Sequence, residues 1–250
     1  MDSGIRESRY MHETSMMASA LAMPREGHLK QVIHMFAYLK RNHNAEMVFD
    51  PTEPDIDERD FPQQDWSATE FGDRLEEEIP PNAPKGRGIG VTITAYVDAD
   101  HAGDTVTRKS RTGFIIYLNS SPIYWHSKKQ NGVETSSFGS EFTAMKQCCK
   151  YIRGLRYKLR MMGIIINGTS YVYGDNQSVL ANTSIPDSTL KKKCNSIAYH
   201  FVREGCARDE WRMKYIRSED NPADLLTKPL PSGEKRRKFI NMMLHHLHDG

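Results

Sequence analysis

The order of strand and helix patterns after residue 88 is the strongest constraint on the fold of this 250-residue chain. Three alternating apolar segments come first, GVTITAYVDAD, TGFIIYLN and SPIYWHSKK, and each is typical of a β-strand. A long helical segment follows, SEFTAMKQCCKYIRGLRYKLRMMG, and two further strands, SYVYGDNQ and EWRMKYIRS, alternate with shorter helices. The order β-β-β-α-β-α-α-β-α predicts an α/β fold, a mixed five-stranded sheet flanked by helices.

Residues 11–41 are predicted to be helical, with a break at Pro24. The second half is amphipathic, and its apolar residues at helical spacing are Leu29, Val32, Ile33, Phe36 and Leu39. This apolar face has too few local partners to be buried. We expect it either to dock on the C-terminal domain or to belong to a larger domain outside this chain.

Residues 50–88 are predicted to be a linker, because the segment is rich in proline and poor in apolar residues. Residues 50–78 carry twelve acidic and two basic side chains, whereas residues 79–250 carry 26 basic and 15 acidic ones. The basic excess indicates a nucleic-acid binder, although solubility would account for it equally well. The acidic segment could be a passive tether or could fold back over the basic face, pinned by Phe61, Trp66 and Phe71.

Two classes of protein are disfavoured by the sequence. The four cysteines have no CxxC spacing, which argues against structural zinc and favours reduced thiols in an intracellular protein. No stretch approaches 18 consecutive apolar residues and the N-terminus has no apolar signal segment, so neither a membrane helix nor secretion is expected.

Four acidic residues follow predicted strands or begin predicted helices. They are Asp98, Glu141, Asp175 and Asp224. Taken singly, each could be a turn former or a helix-dipole acid. If the first and fourth strands are neighbours, however, their ends converge and a flanking helix can add Glu141. Clustered carboxylates repel one another unless a cation is bound, so the set predicts a site for Mg²⁺, which prefers oxygen ligands.

The run from Tyr96 to Leu230 resembles the ribonuclease H domain of copia-type long-terminal-repeat retrotransposon polyproteins. The matching segments are DADHAGDTVTRKSRTGFIIYL, PIYWHSKKQ, SSFGSEFTAMK, YGDNQSVLAN, SIAYHFVREG and NPADLLTKPL. The segment MASALAMPREGHLKQVIHMFAYLKRN is similar to the last helices of the preceding reverse transcriptase. The resemblance implies a reverse transcriptase remnant at 1–49, the acidic linker at 50–88, a ribonuclease H-like domain at 89–230 and a basic helical tail at 231–250.

The resemblance implies an endonuclease that hydrolyses the RNA strand of RNA–DNA hybrids with two Mg²⁺ ions, or Mn²⁺ in their place. Asp98, Glu141, Asp175 and Asp224 would be both the metal ligands and the catalytic residues, with Asp98 and Asp175 central. Its partners would be the hybrid and the rest of the polyprotein, in a cytoplasmic particle or the nucleus. Residues predicted to contact the substrate are Asn176, Gln177, Lys191, Lys192, Lys193 and Arg203.

One departure from the family pattern concerns turnover. Cellular relatives place a histidine in a loop before the last acid, whereas YIRSEDNP has none, which predicts slower or differently assisted product release. The alternative function is a catalytically silent nucleic-acid-binding remnant of a polyprotein, which the intact set of four acids argues against. An integrase or transposase would need a three-acid pattern and usually an upstream zinc module, and neither the spacing nor the cysteines fit.

Overall fold

The structure is a computed structural model, and it describes residues 11–41, 43, 45–72, 77, 79–189, 196–231, 233–243 and 245–246. The helices are α1 (Met11–Ser19), α2 (Glu26–Arg41), α3 (Ser137–Met161), α4 (Gln177–Ser184), α5 (Ser196–Ala207), α6 (Asp224–Thr227) and α7 (Glu234–Asn241), with a short 3-10 helix at Glu58–Asp60. The strands are β1 (Ala45–Glu46), β2 (Arg87–Val91), β3 (Ile93–Asp100), β4 (Arg111–Leu118), β5 (Ser121–Lys129), β6 (Ile164–Ile166), β7 (Ser170–Gly174), β8 (Trp211–Tyr215) and β9 (His245–His246).

The central sheet has five strands in the order β5-β4-β3-β7-β8. Strands β3, β4 and β5 are antiparallel neighbours, whereas β7 and β8 run parallel to β3. The predicted α/β fold with a mixed five-stranded sheet is therefore confirmed. The first and fourth predicted strands, β3 and β7, are direct neighbours, with Val97 paired to Gly174.

Helices α3, α4 and α5 cover one face of this sheet and enclose the main core. Helix α3 begins where the Ser136 hydroxyl accepts the backbone N–H of Gly139, a capping contact that satisfies a free amide of the first turn. Its buried side packs on the alternating inward residues of β3 and β4, such as Val97 and Phe114. Trp211, which is fully buried, closes this core beneath α5.

The opposite face of the sheet is covered by α6 and α7. Ile115 and Tyr117 of β4 pack there against Leu226 and Phe239. The Tyr96 ring stacks on the Tyr173 ring of the neighbouring strand at a centroid distance of 4.9 Å. Both faces of the sheet are therefore covered, and β3 and β4 are buried along almost their whole length.

The acidic segment, which was predicted to be a linker, packs along the β7–β8 side of the molecule. Phe61 is buried against the Tyr171 ring at 4.8 Å, and the Asp60 carboxylate pairs with the Lys214 ammonium of β8. Farther along, the Glu77 carboxylate accepts hydrogen bonds from Arg156, at 2.6 Å, and from Arg160 of α3. We call residues 50–72 together with residue 77 the acidic strap, since apolar anchors and ion pairs hold it in place.

The N-terminal helices behave differently from each other. Helix α1 docks beside β5, where the Ser15 hydroxyl donates to the Ser127 carbonyl at 2.8 Å and His12 is buried. Helix α2 follows the break near Pro24 but leaves Leu29, Ile33 and Phe36 exposed. Docking on the C-terminal domain, one of the two expectations, thus applies to α1 and not to the apolar face of α2.

The sequence analysis missed two small pairings. The segment GVTITAYVDAD was interpreted as one strand, but it divides at Thr92, whose N–H donates to the Asn119 side chain. The part before the break, β2, pairs in parallel with β6, a segment directly after the long helix for which no strand had been predicted. The short β1 pairs with β9.

Candidate metal centre

Three of the four predicted acids lie at the end of the sheet where β3 and β7 finish. Asp98 is in β3, and Asp175 directly follows β7, the parallel neighbour of β3. Glu141, in the second turn of α3, reaches the same place from the flanking helix. Each carboxylate offers one oxygen, and these oxygens all lie within 4.8 Å of one another. The parallel pairing explains how residues far apart in sequence meet.

The Asp98 carboxylate is held by the segment around α6. It is 1% exposed, and its Oδ2 accepts a hydrogen bond from the Thr227 hydroxyl. The Asn221 side chain donates to the Val97 carbonyl at 2.8 Å and so ties the entry of α6 to β3. A Cβ at Gly113 would lie 2.5 Å from the Thr227 methyl carbon, so this glycine permits the close approach of α6.

Burial and mutual repulsion shape the charges of this cluster. Burial raises the pKa of Asp98 to about 7, with Asp224 and Asp175 adding to the effect and the Lys228 ammonium opposing it. Burial also raises the pKa of Glu141 to about 9, reinforced by the charges of Asp98 and Asp175. Such a set holds its full negative charge only when a cation is present.

The fourth acid, Asp224, differs from the other three because its carboxylate is paired with two lysines. It is buried, and its carboxylate accepts hydrogen bonds from the ammonium groups of Lys228 at 2.8 Å and Lys235 at 2.6 Å. Burial disfavours its charged form, but the two lysines outweigh burial and hold the pKa of Asp224 below its usual value. The Lys228 nitrogen also lies 3.4 Å from Oδ2 of Asp98. Lys228 therefore bridges the two aspartates.

The sequence pattern gave Lys228, Thr227 and Ser218 no role in the acid cluster, and Ser218 was considered only as a possible helix cap. The Ser218 hydroxyl donates to Oδ2 of Asp175 at 2.6 Å and so orients that carboxylate. A signal for Lys228 was present, since it follows Asp224 by four residues and would share its helix face. Nothing local in the sequence indicates Ser218, which comes 43 residues after Asp175 and meets it only through the parallel β7–β8 pair.

The donor set suits a hard divalent cation. Three carboxylates offer oxygen atoms alone, with no histidine or cysteine among them, which is the ligand chemistry of Mg²⁺ and Mn²⁺. Asp98 and Asp175 are oriented by hydroxyl groups that leave other oxygen lone pairs free. The residues therefore fit the predicted metal.

The residues predicted to contact the substrate fall into three groups. Asn176 caps α4, where its side-chain oxygen accepts the Val179 N–H at 3.2 Å, and Gln177 is exposed in the first turn beside Asp175. Arg203 is 4% exposed, and its guanidinium donates to the Asn182 carbonyl in the last turn of α4 and to two carbonyls after it, including that of Ile185 at 2.7 Å. The Arg203 guanidinium therefore holds the loop after α4 in place. Residues 191–193 lie outside the described residues.

The chain has curated relatives among transposon polyproteins, although no protein-family model matches it. It is 33% identical over 144 residues to the retrovirus-related Pol polyprotein from transposon RE2 of Arabidopsis thaliana, which covers 58% of this chain and 10% of that protein. It is 32% identical over 153 residues to the one from transposon TNT 1-94 of Nicotiana tabacum, covering 61% and 11%. These relatives confirm the resemblance to retrotransposon polyproteins, of which the chain spans about a tenth.

Solved structures with a similar arrangement include two ribonucleases. The LC11-RNase H1 in complex with an RNA/DNA hybrid has a TM-score of 0.44 at 14% identity, covering 54% of this chain and 94% of that one. RNase H1 of Halobacterium salinarum has a TM-score of 0.43 at 14% identity, with the same coverage. Among the described helices, none is both long and apolar enough to cross a membrane.

Proposed function

We propose that this chain, a relative of retrotransposon Pol polyproteins, is their ribonuclease H part and hydrolyses the RNA strand of RNA–DNA hybrids. The convergence of Asp98, Glu141 and Asp175 from β3, α3 and the end of β7 is the observation that carries the proposal. A carboxylate cluster with one buried and two partly exposed members is suited to metal-assisted hydrolysis of a phosphodiester.

The residues of the chain would divide the work as follows. Asp98 and Asp175 are the central ligands, since hydroxyl groups of Thr227 and Ser218 fix their orientation. Glu141 completes the cluster from α3 and would orient the 2′-hydroxyl side of the RNA. A bound divalent cation would supply an activated water and neutralise the charge on the scissile phosphate.

Asp224 would help to hold a second cation together with Asp98. In the structure the Lys228 ammonium already bridges these two carboxylates, so a second cation would have to displace it. We infer that Lys228 holds the site together before the metal arrives. This arrangement makes the first cation, on Asp98, Glu141 and Asp175, the one that binds without rearrangement.

Recognition of the hybrid would rest on groups beside the cluster. Gln177 is exposed next to Asp175 and can donate to or accept from the 2′-hydroxyl that distinguishes RNA from DNA. The side-chain oxygen of Asn176 caps α4, and its side-chain amide nitrogen can donate a hydrogen bond to the same RNA strand. The predicted phosphate contacts also include Lys191, Lys192 and Lys193, which precede α5 in the sequence. The predicted place of action is a cytoplasmic particle or the nucleus.

The test is cleavage of an end-labelled RNA–DNA hybrid with Mg²⁺ by the whole chain and by Asp98→Asn and Asp175→Asn. We expect cuts in the RNA strand alone, leaving 5′-phosphate ends, and loss of cutting in both variants. Asp187→Asn, which alters an exposed carboxylate, is the matched control and should cut normally.

A second outcome would favour the alternative function. Salt-sensitive binding of the hybrid without cutting would indicate a nucleic-acid-binding remnant that lacks catalysis. Cutting that persists in both asparagine variants would contradict the proposed site.

A further inference from the structure

A cleft of about 410 Å³ lies between the edge strand β5 and helix α3, and it shares no residue with the acid cluster. Its size is within the range of small-ligand sites. The strand side is formed by β4 and β5 residues, and the helix side by the outward face of the second half of α3.

Four aromatic rings line the cleft, three on the strand side and one on the helix side. The Tyr124 ring of β5 stacks on the Tyr151 ring of α3 at 3.8 Å, and the Phe114 ring stacks on the His126 ring at 4.7 Å. Phe114 also lies 5.8 Å from Tyr124, which joins the two pairs. Tyr124 is half-buried, packs against the main core and also lines the cleft.

Gly154 forms the open part of the helix side. It lies inside α3, where a glycine lowers helix stability relative to alanine, and a Cβ at this position would meet no atom within 4 Å. Packing within the described chain therefore does not require this glycine. Its effect is to keep the cleft open opposite the aromatic rings.

The charges around the cleft are all positive. Lys150 and Lys158 are exposed on α3 on either side of Tyr151 and Leu155, about 12 Å apart along the helix axis. None of the residues that line the cleft is Asp or Glu. Nε2 of His126 is buried and has no hydrogen-bond partner among the residues that the structure describes. The ligand that suits such a site is flat, aromatic and anionic.

We propose that this cleft binds an unpaired nucleobase of a single-stranded nucleic acid, stacked on an outer face of the mutually stacked Tyr124–Tyr151 pair, with neighbouring phosphates on Lys150 and Lys158. Stacking on aromatic rings with a basic rim is how proteins hold single strands without reading their sequence. The spacing of the two lysines suits a strand that crosses the cleft, because a free nucleotide would engage only one of them. This site is independent of the hydrolysis proposed above.

The test uses a thymine-rich DNA 12-mer with one central 2-aminopurine, whose fluorescence falls when the base stacks on an aromatic ring. DNA is chosen because the proposed hydrolysis would not cut it. The whole chain should quench the probe, and Gly154→Leu, which fills the cleft, should weaken binding about tenfold, as expected for loss of one stacked base. Gly27→Leu, at another helical glycine with no atom near its Cβ, is the matched control and should bind normally.

Three results would overturn the proposal. The first is equal quenching by the chain and by Gly154→Leu, with melting curves showing that both are folded. The second is a rise in anisotropy without quenching, which would mean that only phosphates are held. The third is equally tight binding of the free 2-aminopurine nucleotide, which would identify a nucleotide site. Hybrid cleavage is measured separately, so failure here leaves the nuclease assay unaffected.

Discussion

Replacing Lys228 with methionine tests whether its ammonium stands in for a cation between Asp98 and Asp224. Methionine keeps most of the length of the side chain and removes the charge. The lysine nitrogen lies 2.8 Å from Asp224 and 3.4 Å from Asp98. At an effective dielectric constant of 20, these separations correspond to attractions of about 6 and about 5 kcal/mol.

The net effect on stability must be much smaller than this sum. The Lys228 side chain is 38% exposed, so hydration returns part of the attraction when the pair is broken. Asp98, whose pKa is already raised to about 7, can also take up a proton in the variant. We therefore expect Lys228→Met to lower the free energy of unfolding by about 2–3 kcal/mol at neutral pH without divalent cations.

Urea unfolding in EDTA and in saturating Mg²⁺ gives the measurement. A cation bound by the carboxylates would replace the positive charge of Lys228. In Mg²⁺ the free energy of unfolding of the variant should therefore be less than about 1 kcal/mol below that of the parent chain. Lys30→Met, which removes an exposed ion pair with Glu26, should change stability little in either condition. An equal deficit with and without Mg²⁺ would refute the idea that lysine and metal compete for one place.

Three further predictions concern the packing around the sheet. Phe61→Ala should destabilise the fold by about 3–4 kcal/mol in urea, because this ring anchors the acidic strap, whereas Phe49→Ala at an exposed ring should cost less than about 0.5 kcal/mol. Gly205→Ala places a carbon 1.9 Å from a buried indole ring and should lower the free energy of unfolding by at least about 2 kcal/mol. Gly154→Ala meets no atom and should stabilise α3 by about 0.5–1 kcal/mol. If Gly205→Ala melted at a higher temperature than Gly154→Ala, this packing would be contradicted. Burial lowers the pKa of His12 to about 4, so the unfolded chain takes up a proton first as pH falls below about 6.5. His12→Gln should therefore lose about 2 kcal/mol less stability than the parent between pH 7 and pH 5, and an identical loss in urea would refute this.

The order of strands and helices along the chain could be predicted from the sequence, and so could three of the site residues, because both depend on local patterns. Alternation identifies β3, β4 and β5, and acids that follow predicted strands point to the end of a sheet. The resemblance to polyproteins then ordered these acids into a set. The small β2–β6 pair was missed, since three isoleucines after a long helix carry no period that separates strand from helix.

The acidic strap shows why composition can mislead. Residues 50–78, with twelve acids and few apolar residues, have the signature of a flexible linker, and sequence alone left the course of this segment open. Its place is decided by a few contacts that lie far away in sequence, such as Phe61 with Tyr171 and Glu77 with Arg156. No window of the sequence contains both partners of such a contact.

The sequence by itself determined the α/β architecture and the acids that can bind metal, because both follow from short-range periodicity and from which residue types end strands. Only the tertiary structure decided that Asp98, Glu141 and Asp175 form one group while Asp224 is neutralised by Lys228 and Lys235. It also decided that Arg203 serves a loop and that Gly154 opens a cleft. The physical reason is that charge pairing and packing depend on distances between atoms, which the sheet pairing sets among residues that the sequence keeps far apart.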